Sequence, residues 1–159
     1  MVACVRLVVA SVQGGGRRIA HDHAMPSDDR YDTRLDDKYG QLTVIDIPAE
    51  VRAHAPWFNQ TLTRVNDAVV RLGIIQGEYH WHKHDREDEC FIVLDGELSL
   101  DIEGQGTVVL TRHLGYTVPH GVVHRTRARD KTIILMVEAA TVTPTGDGIA
   151  LRAQPPARR

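Results

Sequence analysis

From about residue 65 to residue 138 the chain divides into short apolar and β-branched pieces, at 68–76, 78–84, 90–94, 97–102, 107–110, 116–118, 122–128 and 131–138, with glycine, proline or acid-rich breaks between them. Such a series predicts an all-β sandwich or barrel. Asp95-Gly96 sits between two of the pieces, and both residues tolerate positive φ, so a tight hairpin is expected there. No internal repeat or heptad competes with this reading.

Upstream, residues 13–40 hold a triple glycine and "SDDRYDTRLDDKYG", with little apolar surface to bury, so residues 1–40 read as a flexible leader. "QLTVIDI" (41–47) reads as a strand, and Pro48 opens a short helical piece, "AEVRAHA", which Pro56 stops. Residues 41–64 then form a docking segment on a barrel domain of residues 41–143. Residues 144–159, with Pro144, Pro155 and Pro156, read as a tail.

A chain of 159 residues is one domain's worth. Its formal net charge of -2 provides no positive field for nucleic acid or an anionic membrane, which leaves a small-molecule substrate or ligand as the expected partner. Cys4 and Cys90 do not make a disulfide scaffold, so a reducing cytoplasm is the expected location. The apolar start "MVACVRLVVASVQGGGRR" has its arginines inside and after the run, the wrong order for an export signal. Met25 as the functional start is the plainer reading.

The stretch "GEYHWHKHDREDECFIVLDGE" (77–97) places His80, His82 and His84 at alternate positions. Residues two apart diverge by about 200° around a helix but share one face of a strand. His82 and His84 therefore converge only on a strand, with Tyr79, Trp81 and Lys83 facing the other way. Of the residues that follow, Asp85, Arg86 and Glu87 fall in the turn, while the acid Glu89 opens "ECFIVL" and is held by the strand. With Glu89 inward, Phe91 and Val93 follow it and Cys90, Ile92 and Leu94 face away. That away-facing side is also apolar, so the 41–60 segment or a second subunit should cover it.

In "GYTVPHGVVHRTRA" a proline-X-glycine turn brings the chain back, and His124 follows three residues after Gly121. His82, His84, Glu89 and His124 together offer three imidazole nitrogens and one carboxylate, a set that suits one divalent Mn, Fe, Ni, Co or Zn ion with open positions for substrate or water.

These residues resemble the cupin superfamily, whose first motif runs G-x5-H-x-H-x3-4-E-x6-G and whose second runs G-x5-P-x-G-x2-H-x3-N. Here the matches are His82-x-His84-x4-Glu89-x6-Gly96 and Pro119-x-Gly121-x2-His124. The resemblance spans roughly residues 65–143 and is closest to small single-domain cupins, some labelled mannose-6-phosphate isomerase-like, with a closing "TPTGD" like that at 143–147. It implies a double-stranded β-helix, or jelly-roll, barrel and commonly a homodimer paired through an outer sheet face, here that of Cys90, Ile92 and Leu94. Three positions depart from the pattern. Gly77 lies one residue close to the first histidine, which a bulge would absorb. His113 stands where the second motif has its turn glycine, and histidine tolerates left-handed backbone better than most residues. Ala128 replaces the closing asparagine.

Several neighbours read as structural. His113 and His120 belong to turns, Cys90 to a core, and the 21–23 "HDH" to the leader. Arg125, Arg127 and Arg129 alternate opposite His124 and Thr126, which fits a solvated outer face better than an anion site. The expected function is a metal-dependent small-molecule enzyme, a dioxygenase or a sugar or keto-acid isomerase, with the metal as Lewis acid or O₂ platform. His80 is the nearest candidate base. A binding module without turnover is the alternative, because a barrel does not specify chemistry.

Overall fold

A computed structural model describes residues 7–8 and 31–147. Among the described residues are β1 (Leu7–Val8), β2 (Asp32–Arg34), α1 (Ile47–Ala53), β3 (Phe58–Val65), β4 (Ala68–Glu78), β5 (Glu89–Asp95), β6 (Glu97–Ile102), β7 (Gly106–Thr111), β8 (Gly115–Val118) and β9 (His124–Ala139). The readings made for Cys4, the "HDH" tract, a start at Met25 and the tail beyond residue 147 lie outside the described residues.

β9 organises the barrel. β4 runs antiparallel along one edge of it, from Ala68↔Ala139 to Glu78↔Arg127. Along the other edge, residues 124–127 pair with β6 and residues 133–138 with β5. β7 extends the sheet beyond β6, and β8 extends it beyond β5. A strand whose two halves have different neighbours rolls the sheet closed, and the result is the jelly-roll barrel.

Period-two burial gives that barrel its core. His124, Thr126, Ala128, Ile134, Met136 and Glu138 of β9 are buried, and they alternate with less buried neighbours through most of the strand. They share the interior with Ile75, Phe91, Val93, Leu98, Leu100 and Leu110. Leu72 and Ile74, the out-of-phase residues of β4, join a second cluster with Phe58, Leu62 and Ile133, covered by Tyr39, Ile45, Ile47 and Val51. Both are fully buried, and burial of one such side chain contributes roughly 1.5–3 kcal/mol. The docking segment thus makes β4 a strand with two apolar faces. Leu94 packs on the same cluster and, like Cys90 and Ile92, is half-buried.

Several expectations are corrected. Residues 41–46 form no strand; Asp46 accepts a hydrogen bond from the Ala49 N–H at 2.9 Å and caps a helix that begins at Ile47, two residues early. The docking segment contains a full barrel strand, β3, joined to β4 through Asn66 and Asp67, with Asn66 at φ 55°. Residues 31–40, assigned to the leader on composition, extend the sheet instead. β2 pairs with β3, and the Tyr39 N–H donates to the Leu62 carbonyl at 2.8 Å. Polar contacts hold them where apolar surface is lacking: buried Glu50 accepts from Lys38 Nζ at 2.7 Å and from the Tyr39 hydroxyl at 2.5 Å.

Asp95-Gly96 is a corner, because β5 and β6 do not pair with each other. A Cβ on Gly96 would come 2.6 Å from Thr132 Oγ1, so glycine lets the corner pack against β9. The pieces 122–128 and 131–138 are one strand, whose exposed residues 129–131 mark the change of partner from β6 to β5. The 78–84 piece is no regular strand. β4 ends at Glu78, and beyond it an extended segment makes an isolated bridge between His82 and His124.

Candidate metal centre

That bridge sets two of the imidazoles. The His82 N–H donates to the His124 carbonyl at 2.9 Å and the His124 N–H returns a bond at 2.8 Å. The Pro119-to-Gly121 turn, with Gly121 at φ 74°, brings the Gly121 N–H within 2.6 Å of the His84 carbonyl. His82 Nδ1 lies 3.1 Å from the His80 carbonyl and His124 Nδ1 3.0 Å from the Val122 carbonyl. A carbonyl can only accept, so both protons are assigned to Nδ1, which leaves both Nε2 atoms as the donor atoms turned toward the cluster. Glu89, first residue of β5, faces inward with Phe91 and Val93, as its parity predicted. Its Oε2 lies 3.2 Å from His124 Nε2 and 3.4 Å from His84 Nε2. One ligand atom from each of His82, His84, Glu89 and His124 falls within 4.8 Å of all the others.

All four side chains are buried, His124 to 1% exposure. Burial pushes the His82 imidazolium down to about 3, and neighbouring His124 adds to the effect. Burial also opposes the Glu89 carboxylate, but its close contacts with His124 and His84 outweigh it and hold Glu89 below the usual carboxylate range. His84 is raised: burial opposes its charge, and its contact with Glu89 prevails. That contact is an ion pair without hydrogen-bond geometry, and both ring nitrogens of His84 are buried with no hydrogen-bond partner. Buried polar atoms left unpaired are destabilising. Three imidazoles and one carboxylate in this state fit a divalent transition ion.

The "TPTGD" stretch straps the histidine segment down. The Asp147 N–H donates to the Lys83 carbonyl at 2.9 Å, and Asp147 Oδ2 accepts from the Asp85 N–H at 2.9 Å. The Thr145 carbonyl lies 2.9 Å from His80 Nε2, and the Pro144 carbonyl accepts from the Tyr79 hydroxyl at 3.2 Å. Gly146 packs directly on His82.

His80, the expected base, turns to that strap and is not among the residues lining the interior cavity. Tyr79, expected outside, lines the cavity instead, because the chain at 79–84 does not keep strand parity. His120 is exposed beside Asp88, and Trp81 is exposed under Arg125. Arg125 and Arg127 are engaged by Asp101, with Nε to Oδ2 distances of 2.8 and 2.6 Å, so the outer face carries an internal ion network. Arg129 is solvated beside Asp130.

Three polar residues near the site escaped the sequence reading. Glu138 and Arg71 form a buried ion pair, and Glu138 and Asn59 line the cavity with His82 and Glu89. Burial and the nearby Glu89 carboxylate push Glu138 up to about 7. The signal was a charge in phase with buried apolar residues, Arg71 with Val69 and Ile75, Glu138 with Ile134 and Met136.

Residues 70–139 match the family described as the cupin domain. An uncharacterised protein of Bacillus subtilis strain 168, YdbB, is 46% identical over 80 residues, which cover 50% of this chain and 71% of that protein. Among solved structures, a cupin-2 domain containing protein of Shewanella frigidimarina is 29% identical with TM-score 0.57, over 60% of this chain and 94% of that one. Protein NMB1881 of Neisseria meningitidis shares the fold at 21% identity and TM-score 0.56, over 61% and 99%. With the barrel, the two motifs and this likeness in agreement, the chain belongs to the cupin family.

Proposed function

We propose that His82, His84, Glu89 and His124 bind one divalent transition metal ion (Mn, Fe, Ni, Co or Zn) and that the chain is a metal-dependent small-molecule enzyme of dioxygenase or isomerase type. The observation that carries this reading is the pair of buried His84 nitrogens without a hydrogen-bond partner, beside three other convergent donor atoms. When bound, the ion would supply Lewis acidity or a platform for O₂. The protein's own residues do the rest. The His80 and Val122 carbonyls orient two imidazoles, Glu89 supplies negative charge, and Trp57, Phe91, Ile134 and Met136 give the cavity apolar walls that exclude water.

A second reading, a ligand-binding module without turnover, is favoured by one observation. The acid–base candidates near the site are engaged: His80 with the Thr145 carbonyl and Glu138 with Arg71. Metal-loaded protein incubated with a panel of phenols, diketones and keto acids, followed by O₂ uptake and product analysis, separates the two. Metal-dependent product formation supports the enzyme; ligand retained unchanged at full metal occupancy overturns it in favour of the module.

A further inference from the structure

The cavity lined by His82 and Glu89 opens toward β2. Of the residues lining it, those that are not buried are Tyr31, Thr33, Trp57, Asn59, Tyr79 and Pro144, and they mark its mouth. Met136 and Phe91 lie buried behind that rim. Tyr31 closes the rim from one side. Its ring meets Trp57 edge to face at a centroid distance of 5.3 Å and meets Tyr79 at 4.8 Å, so it bridges the two rings that flank the mouth.

The parts of the rim are fastened unequally. Trp57 leads into the eight-residue β3, which pairs along β4. Tyr79 is held by its N–H, which donates to the Thr126 carbonyl at 2.9 Å, and by its hydroxyl, which donates to the Pro144 carbonyl at 3.2 Å. β2 is different. It is three exposed residues at the outer end of the sheet, and among the described strands it pairs only with β3. Its charged side chains bond each other, Arg34 Nε to Asp32 Oδ1 at 3.0 Å, and the Arg34 guanidinium lies over the Phe58 ring, 5.2 Å from its centroid. A short ladder and a few exposed contacts little more than offset the entropy of ordering these residues, so this is the part of the rim that opens at least cost.

The chain is pinned again just beyond. The Asp36 carbonyl accepts from Gln60 Nε2 at 2.8 Å, and the Lys38 N–H donates to the Thr61 carbonyl at 3.1 Å. Leu35, exposed between β2 and that anchor, is where the backbone turns if β2 lifts, and nothing downstream of Asp36 has to break.

We propose that residues 31–34 are a flap over the cavity mouth, hinged at Leu35 and latched by the Tyr31 ring, whose opening controls the access of solutes to the histidine cluster. This adds a gate to the site described above, and rests on the metal reading only for what the gate protects.

The test is the rate at which a thiol inside the cavity reacts. Met136→Cys in a Cys4→Ser/Cys90→Ser background places the chain's one thiol on the cavity wall. Methyl methanethiosulfonate converts that side chain to CH2–S–S–CH3, which has the shape of methionine's CH2–CH2–S–CH3, so the label needs no space beyond that which Met136 fills. Relative to this parent, Tyr31→Ala should speed labelling at least roughly tenfold and Arg34→Ala at least about threefold, with melting temperatures within about 2 °C of the parent. Arg34 does not line the cavity, so its effect comes through the flap. If Tyr31→Ala does not fold, Arg34→Ala decides alone. Equal rates in all three proteins, or acceleration by Tyr31→Ala only, the mark of a hole left by the lost ring, overturns the proposal. In metal-loaded protein that keeps Cys4, Cys90 and Met136, the same two substitutions should speed metal loss to a chelator without changing metal content. A labelling response in protein that takes up no metal sinks the metal reading and keeps the flap; a full metal complement with labelling unmoved sinks the flap alone.

Discussion

Gly146→Ala tests how the strap over the histidine segment works. Gly146 has φ 85°, and a Cβ added there would fall 2.7 Å from His82 Cβ and 3.1 Å from the Lys83 carbonyl oxygen. Neither atom can rotate away, because one is a Cβ and the other is backbone. Left-handed backbone alone disfavours alanine by roughly 1–2 kcal/mol. Relief of the clash moves the strap and weakens the two Asp147 contacts, to the Lys83 carbonyl and from the Asp85 N–H, each at 2.9 Å. Net loss from two such bonds is about 1 kcal/mol each at most, so the whole effect is roughly 1–4 kcal/mol. For a domain of this size that lowers the melting temperature by roughly 10 °C. Because the strap sits on His82, metal affinity should fall by about tenfold or more, as for other groups that orient a ligand from behind. Thermal melts and competition with a metal chelator measure the two effects. A melting temperature and an affinity both equal to wild type would show that the strap does not press on His82 and would refute the reasoning.

Arg71→Met should destabilise the protein by about 3–5 kcal/mol in urea, since it leaves the Glu138 carboxyl alone in the interior; adding Glu138→Leu should recover most of the loss, and a wild-type midpoint for the single variant would contradict the pair. Asp101→Asn should cost roughly 2–3 kcal/mol near neutral pH. Burial opposes the Asp101 carboxylate, but bonds from Arg127, Thr107 and Arg125 prevail and hold it well below its ordinary value of 3.8. Its contribution is therefore complete above about pH 3.8 and is lost as pH falls through the lower folded value, so the gap between wild type and variant should be flat from pH 7 to 5 and close below that point. A gap that closes already at pH 6 would refute this. His113 adopts φ 70°, so His113→Val should destabilise by at least about 1 kcal/mol whereas His113→Gly should not; thermal melts of the pair decide.

The site was more legible in the sequence than the fold around it, for physical reasons visible at single residues. His82 and His84 alternate, Glu89 is the one acid fixed by a following strand, and a Pro-x-Gly turn precedes His124, so local geometry alone limits where each can point. The departures from the family pattern were legible too. The close spacing of Gly77 is absorbed by a register shift between Ile75 and Gly77, and His113 takes the left-handed backbone of the glycine it replaces. What stayed hidden depends on distant partners. "FNQTLTRV" carries too few apolar residues to read as a strand, yet β3 is held by pairing with β4 and by the docking segment. Residues 31–40 are polar and order through Glu50 and through the edge of β3. Asp130-Lys131 looks like a turn, whereas β9 runs straight through it and changes neighbours. Tyr79 reached the cavity because strand parity lapsed after Glu78, a break that no residue at 79–84 announces.

The most direct measurement is elemental analysis of protein purified without added metal, beside a His82→Ala/His84→Ala variant. Coordination by the four donor atoms predicts close to one transition-metal ion per wild-type chain and less than about a tenth of that in the variant. Equal metal content in the two proteins, or none in wild type even after incubation with Mn, Fe, Co, Ni and Zn salts, would contradict it.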